Sequence, residues 1–279
     1  MNFVEFLRTN WPELLALTRE HIFLVLISTG AAVLIGLPTG ILLTRFRSLR
    51  TPVLGLANVM QTVPSLALFG LLIPIPFIGG IGARTAVIAL ALYALLPIIR
   101  NTVTGILGVE PRIIEAADAI GMTASQRLRM IELPLAMPVI ITGIRVAVVI
   151  CVGVATVAAA VGAGGLGTYI FRGLRQNDNN LIVAGAAASA LLALACDFVL
   201  GQVERSYAIG ERVSRNRRRV AVGAVVLIIG SLSLSTLLNV GRGSSSSDPA
   251  TLVTVGSKDF TEDRKSTRLN SSHTDISRM

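Results

Sequence analysis

The stretch that decides the fold class is residues 22–43, IFLVLISTGAAVLIGLPTGILL, which contains no charged side chain. An apolar run of about 18 residues is long enough to cross the hydrocarbon core of a membrane as a helix. Similar runs follow near residues 53–73, 85–107, 135–160, 181–201 and 220–238. The sequence therefore predicts an all-α polytopic membrane protein with about six transmembrane helices.

Composition and charge favour the same class. Hydrophobic residues make up 52% of the 279-residue chain and charged residues only 15%, whereas a soluble protein has about 25% charged residues. The net charge of +9 does not indicate a nucleic-acid partner, because the arginines lie in short loops where they set membrane orientation. Twelve of them fall on one side of the predicted spans, in residues 45–50, 112–129 and 205–219, and five on the other. We expect a cytoplasmic-membrane protein, surrounded by lipid, with its arginine-rich side in the cytoplasm and both termini outside.

The first predicted span and the segment before it have features of their own. Residues 1–21 mix charged and apolar side chains, which predicts a short helix lying at the membrane surface. Within the span, Gly30, Gly36, Pro38 and Gly40 would weaken a soluble helix. Between packed membrane helices they allow close approach and kinks.

The character of the chain changes towards its end. Residues 206–240 are predicted to form a basic loop and an extra membrane helix, and residues 241–250 a flexible linker. Residues 251–263 have the pattern of a strand and loop that begin another domain. Residues 264–279 are polar and without periodicity, so we interpret them as a non-native tail.

A spaced motif lies between the third and fourth predicted spans, within residues 109–134. Its members are Glu115-Ala116-Ala117, Gly121 and Ile131-Glu132-Leu133-Pro134. Pro111 suits the first turn of a short helix, the alanines leave room for a partner to approach, and Gly121 permits a sharp turn. The motif predicts a cytoplasmic coupling helix, and the alternative is a plain interfacial helix.

This motif resembles the Glu-Ala-Ala loop of ATP-binding-cassette importer permeases, which docks on the ATPase subunit. Four other stretches resemble the permeases for glycine betaine, choline and related osmoprotectants: residues 36–40, 61–68, 93–102 and 162–167. The resemblance covers about residues 13–205 and places the permease domain at residues 22–205. In some members the chain continues into its own substrate-binding domain, and residues 255–262 resemble the start of that domain.

The resemblance implies a transport subunit with no catalytic residue and no bound cofactor, since ATP and Mg²⁺ would be held by the ATPase. The implied partners are a cytoplasmic ATPase subunit, a second permease copy or a sister permease, and an extracytoplasmic substrate-binding domain. The implied substrate is a small osmoprotectant such as glycine betaine, choline or a similar quaternary amine. Another small solute, such as an amino acid or a thiol-betaine, is the alternative. A membrane solute sensor that does not transport is a second alternative, against which the coupling motif argues.

Four glycines follow the fourth predicted span: Gly162, Gly164, Gly165 and Gly167. Gly162, Gly164 and Gly167 have the spacing of a dinucleotide-binding loop, but that loop needs a strand before it and a βαβ unit around it. Here the glycines follow an apolar membrane run. They favour a tight extracellular turn at the gate of the transport path.

Three ionisable residues lie inside predicted spans, namely Arg100, Arg145 and Asp197. Such residues are candidates for function by default, although each could instead extend its head towards the lipid headgroups. We predict that Arg145 and Asp197 form a pair on neighbouring spans. His21 is interpreted as an interfacial residue, and no metal site is predicted.

Overall fold

The computed structural model describes residues 2–76 and 78–207, and every regular element in those residues is a helix. The α-helices are α1 (Phe3–Arg45), α2 (Arg47–Thr62), α3 (Ser65–Leu72), α4 (Ala83–Leu107), α5 (Pro111–Ala119), α6 (Ala124–Arg127), α7 (Leu133–Ala158), α8 (Gly167–Gln176) and α9 (Asn179–Tyr207). The all-α prediction is confirmed for this part of the chain. The predicted span 220–238, the linker, the domain start and the tail lie outside the described residues.

Four helical stretches are long and apolar enough to cross a membrane: α1, α4, the stretch Ala124–Val161 that contains α7, and α9. The second predicted span, residues 53–73, is bent, since α2 and α3 meet at an angle of 102°. Pro64 accounts for the break. It cannot donate a backbone hydrogen bond, and it favours extended backbone at the preceding residue, as observed at Val63 (φ −67°, ψ 127°).

The contacts between α1 and α4 show that these two helices run parallel. A Cβ on Gly36 would lie 3.0 Å from Ile98, and one on Gly40 would lie 2.6 Å from Thr102, so rising numbers in α1 meet rising numbers in α4. Since two parallel helices begin at the same end of the bundle, the chain between them must return along it. Together α2 and α3 therefore form one broken span.

Helix α7 runs antiparallel to α4. Cys151 near its end contacts the Leu90 carbonyl, and Gly143 nearer its start packs on Asn101. The bundle thus has two distinct ends. The first, which we call the coupling-loop end, contains residues 45, 107–132 and 204; the second, the glycine-loop end, contains residues 20–21, 80–82 and 161–167.

Small residues bring the helices together in the core, as predicted for a membrane bundle. Gly36 and Gly40 lie directly against α4, whereas a Cβ on Gly30 would have no heavy atom within 4 Å, so the predicted packing role of Gly30 is wrong. Pro38 lies inside α1 without ending it. The buried alanines along these contacts are Ala32, Ala86, Ala89, Ala94, Ala147 and Ala155.

The short surface helix predicted within residues 1–21 is not separate from the first span, because α1 runs from Phe3 to Arg45 without a break. Two of their apolar side chains, Phe6 and Leu14, are buried against Tyr169 and neighbouring residues of α8 and α9. Trp11 remains exposed. The change in composition near residue 21 therefore reflects a change of surroundings and not the end of a helix.

Candidate functional site

Helix α5 forms the centre of the predicted coupling loop. Pro111 occupies its first turn, where a missing N–H costs nothing. At its other end Gly121 adopts φ +78°, its N–H donates to the Asp118 carbonyl (3.0 Å), and the Met122 N–H donates to the Ala117 carbonyl (3.1 Å). These two bonds form a Schellman motif, which confirms the predicted helix start and sharp turn.

The two alanines of the motif have different surroundings. Glu115 and Ala116 are exposed to solvent, but Ala117 is only 2% exposed and packs within its own chain. The expectation that both alanines face a partner is therefore wrong for Ala117. Two apolar side chains near the ends of α5, Ile113 and Ile120, are exposed at 38% and 79%, and with Ala116 they form a surface that can bind another protein.

The last part of the motif lies at the start of α7. A capping box at Thr123 and Gln126 begins α6, and a π turn, Leu128–Glu132, joins it to α7. Leu133 packs in the core cluster around Ile106 and Ile140. Ile131 is half-buried and Pro134 is exposed. These residues join the loop to the membrane helix as one continuous helical stretch, so their role as direct ATPase contacts stays a prediction.

An ionic chain not anticipated from the sequence crosses this loop. Arg127 Nη1 donates to both carboxylate oxygens of Asp118, at 2.5 and 2.7 Å, and its Nε donates to Oε1 of Glu132 at 2.8 Å. The other oxygen of Glu132 accepts from Arg45 Nη2 at 3.1 Å. We call these four residues the coupling-loop ion chain. Its members lie on α5, α6, the π turn and α1, and no local pattern specifies pairing over such separations.

The glycine loop at the opposite end is a tight turn, as predicted. Gly162, Gly164 and Gly165 all have positive φ, between +76° and +83°, a backbone region that disfavours other residues. Gly167 begins α8 so close to the Thr156 carbonyl that a Cβ would collide with it. Packing and backbone conformation therefore both require glycine here.

Two consecutive residues of α1 hold this loop. Glu20 Oε2 accepts from the Gly165 N–H at 3.0 Å, and His21 Nδ1 accepts from the Leu166 N–H at 3.3 Å. The other ring nitrogen of His21 donates to the Val152 carbonyl at 3.1 Å. His21 is fully buried, so its interpretation as an interfacial residue is wrong. As a neutral ring with its proton on Nε2 it joins α1, α7 and the loop.

Helix α8 is fastened to α1 next to this loop. Arg172 donates to both oxygens of Glu13, at 2.7 and 3.0 Å, and the Tyr169 hydroxyl donates to Glu13 at 2.9 Å. The Arg172 guanidinium also lies 4.8 Å from the centre of the Tyr169 ring, a cation–π distance. Burial, and then the bond to Glu13, raise the pKa of Tyr169 to about 12. The tyrosine stays protonated and can donate over the physiological pH range.

The predicted pair inside the spans is present. Arg145 donates to Asp197 through Nε at 2.7 Å and Nη2 at 2.6 Å, and its Nη1 donates to Glu204 at 3.0 Å. Gly201 leaves the space for it, since a Cβ there would lie 3.2 Å from the guanidinium. Arg100 is exposed on α4 and does not take part. We call Arg145, Asp197 and Glu204 the intramembrane ion cluster.

Comparisons with known proteins agree with this arrangement. A family model described as a binding-protein-dependent transport system inner membrane component matches residues 32–209. The osmoprotectant import permease protein OsmW of Salmonella typhimurium is 46% identical over 206 residues, 73% of this chain and 96% of that protein. The choline transport system permease protein OpuBB of Bacillus subtilis is 44% identical over 204 residues, 73% of this chain and 93% of that protein.

Solved structures show the same fold. The MetNI methionine ABC transporter, in an inward-facing conformation, is similar with a TM-score of 0.64 at 25% identity, over 70% of this chain and 96% of that chain. An amino acid ABC transporter crystallised with histidines is similar with a TM-score of 0.63 at 19% identity, over 74% of this chain and 99% of that chain. At that identity the second comparison supports the fold alone.

Proposed function

The chain belongs to the family of binding-protein-dependent transport system inner membrane components, and on that premise we propose that it imports a small quaternary-amine osmoprotectant such as glycine betaine or choline. It is a multi-pass inner-membrane transport subunit and not an enzyme. In these systems a separate subunit hydrolyses ATP. ATP and Mg²⁺ would accordingly be held by that partner, with no cofactor on this chain.

The observation that carries the proposal is the exposed face of α5. The Glu-Ala-Ala motif lies on a short capped helix outside the bundle, with Ala116, Ile113 and Ile120 open to a partner. A small residue between apolar ones allows close approach to an apolar groove. The ATPase subunit would bind there, and this face has no purpose in a sensor that does not transport.

A second permease, either another copy or a sister chain, would complete the transport path. Support comes from the intramembrane ion cluster, in which the side chains of Arg145 and Asp197 are 32% and 42% exposed. Charged side chains at membrane depth face protein or a water-filled path and not lipid. The face of α9 that carries Asp197 would therefore lie against the path or the second permease.

The osmoprotectant substrate is supported by the relatives, whose names specify osmoprotectant and choline transport. The alternative, an amino acid, is supported by the likeness to the methionine transporter. An extracytoplasmic substrate-binding domain would deliver either solute to the glycine-loop end.

Uptake of labelled solute tests the substrate. The chain is expressed with its ATPase and substrate-binding partner in cells that lack other osmoprotectant importers, and labelled choline and glycine betaine are supplied at high osmolarity. We expect uptake that an excess of unlabelled osmoprotectant abolishes and methionine leaves unchanged. Uptake of methionine, without uptake of either amine, would favour the alternative.

A further inference from the structure

The coupling-loop ion chain joins two elements that are far apart in the sequence. Asp118 lies in the last turn of α5, and Arg45 is the last residue of α1. Between them Arg127 and Glu132 alternate in charge, and each contact is 3.1 Å or shorter. The chain is a continuous polar connection from the proposed ATPase-binding helix to the end of a membrane span.

Burial makes the centre of this connection stiff. The side chain of Glu132 is 4% exposed and that of Arg127 is 19% exposed, whereas Asp118 at the outer end is 52% exposed. A buried carboxylate is stable only while charged or hydrogen-bonded partners surround it. Because both oxygens of Glu132 are occupied, α1 and α6 cannot separate without leaving one oxygen of a buried carboxylate without its donor.

We propose that Arg127 and Glu132 are positioning residues for energy coupling, which transmit a displacement of α5 to the coupling-loop end of α1. This rests on the proposed function, in which the ATPase binds α5. When the ATPase moves α5, Asp118 moves the guanidinium of Arg127. The buried carboxylate of Glu132 then carries that movement to Arg45, and α1 shifts with α5. Loss of any ion pair in the coupling-loop ion chain should leave α5 bound to the ATPase, but α1 would no longer move with it.

The test uses the complete importer in proteoliposomes, with choline or glycine betaine as solute. The variants are Arg127→Met, Arg127→Lys, Glu132→Gln and Asp118→Asn. The control is Arg129→Met, the same kind of change in the same loop, at an exposed side chain of the π turn that lies outside α5 and outside the ion chain. Three quantities are measured: ATPase binding, solute-stimulated hydrolysis, and the number of ATP molecules used per solute.

We expect Arg127→Met and Glu132→Gln to bind the ATPase as the wild type does, while uptake per ATP falls about tenfold. Arg127→Lys keeps the positive charge and should retain part of the wild-type uptake per ATP. The control should behave as the wild type. Asp118→Asn combined with Glu132→Gln should be no worse than either alone, because one break already interrupts the chain.

Normal uptake per ATP in correctly inserted Arg127→Met would overturn the inference, and so would additive losses in the double variant. If Arg127→Met does not fold, Asp118→Asn decides, because this near-isosteric change lies at the exposed end of the chain. If Asp118→Asn binds the ATPase and its uptake per ATP is normal, the inference is rejected. Failure of the wild-type chain to bind the ATPase would instead reject the proposed function.

Discussion

At the scale of single residues, the side chains that matter most at the glycine-loop end hold backbone in place. His21 fills a site where one nitrogen must accept from Leu166 and the other must donate to Val152. Neutral imidazole does both at once, whereas Phe would leave the buried Leu166 N–H without its acceptor, at about 1–3 kcal/mol, and would remove a second donor from the Val152 carbonyl. Glu20 beside it accepts from the Gly165 N–H. A movement of α1 would therefore displace the glycine loop directly.

The two adjacent alanines of α5 give a prediction at this scale. Ala116→Trp should lower ATPase affinity by at least about tenfold and leave the melting temperature of the permease unchanged, because the ring would project from an exposed face. Ala117→Trp is the matched control. Its buried position should cost the permease itself about 1–3 kcal/mol through overpacking. Thermal unfolding in detergent and a pull-down of the ATPase measure the two effects, and wild-type ATPase affinity in Ala116→Trp would contradict the assigned docking face.

At the scale of elements, the sequence predicts what depends on local pattern. Apolar length located the spans, and Pro111 with Gly121 located the ends of α5, because these signals act within a few residues. The size of the bend at Pro64 and the continuity of α1 were not predicted, since apolar length gives no direction and a change in composition need not end a helix. The coupling-loop ion chain, and the hydrogen bonds from Glu20 and His21 that hold the glycine loop, were also not predicted. Their partners are up to 145 residues apart, and only tertiary packing selects them.

The intramembrane ion cluster gives a prediction for the contact between α7 and α9. Arg145→Met should insert normally but reduce uptake by roughly an order of magnitude, because two carboxylates would lose their shared partner. Asp197→Asn and Glu204→Gln should each reduce uptake by less, since Arg145 would still be paired with the remaining carboxylate. Uptake in proteoliposomes is the measurement.

The double variant of the two acidic residues separates a cluster from independent contacts. With both carboxylates neutralised, Arg145 has no ionic partner in the cluster. The fold-reduction in uptake should therefore exceed the product of the two fold-reductions in the single variants. Arg205→Gln is the control, as the loss of an exposed cation in the last turn of α9, outside the cluster. Wild-type uptake by Arg145→Met would show that the cluster has no role in transport. Simple additivity in the double variant would show instead that the two carboxylates act as independent contacts.

At the scale of the whole molecule, the parallel direction of α1 and α4 determines the direction in which the other spans cross the membrane. If both run in the same direction, α2 and α3 must carry the chain back across the membrane, and α7 and α9 follow in alternation. The coupling loop and the glycine loop then lie on opposite faces. The arginine asymmetry, which depends on none of these contacts, predicts that the coupling-loop end faces the cytoplasm.

Labelling of single cysteines tests this orientation. Ser125→Cys at the coupling-loop end and Gln176→Cys at the end of α8 are both exposed, while the natural Cys151 is buried and Cys196 half-buried within an apolar span. In intact cells a membrane-impermeant maleimide should label Gln176→Cys and not Ser125→Cys, and permeabilised cells should label both. The unmodified chain measures the background from Cys196. Labelling of both variants in intact cells would mean that α7 does not carry the chain across the membrane between them. The reverse pattern would place the proposed ATPase-binding face of α5 outside, where no ATPase could reach it.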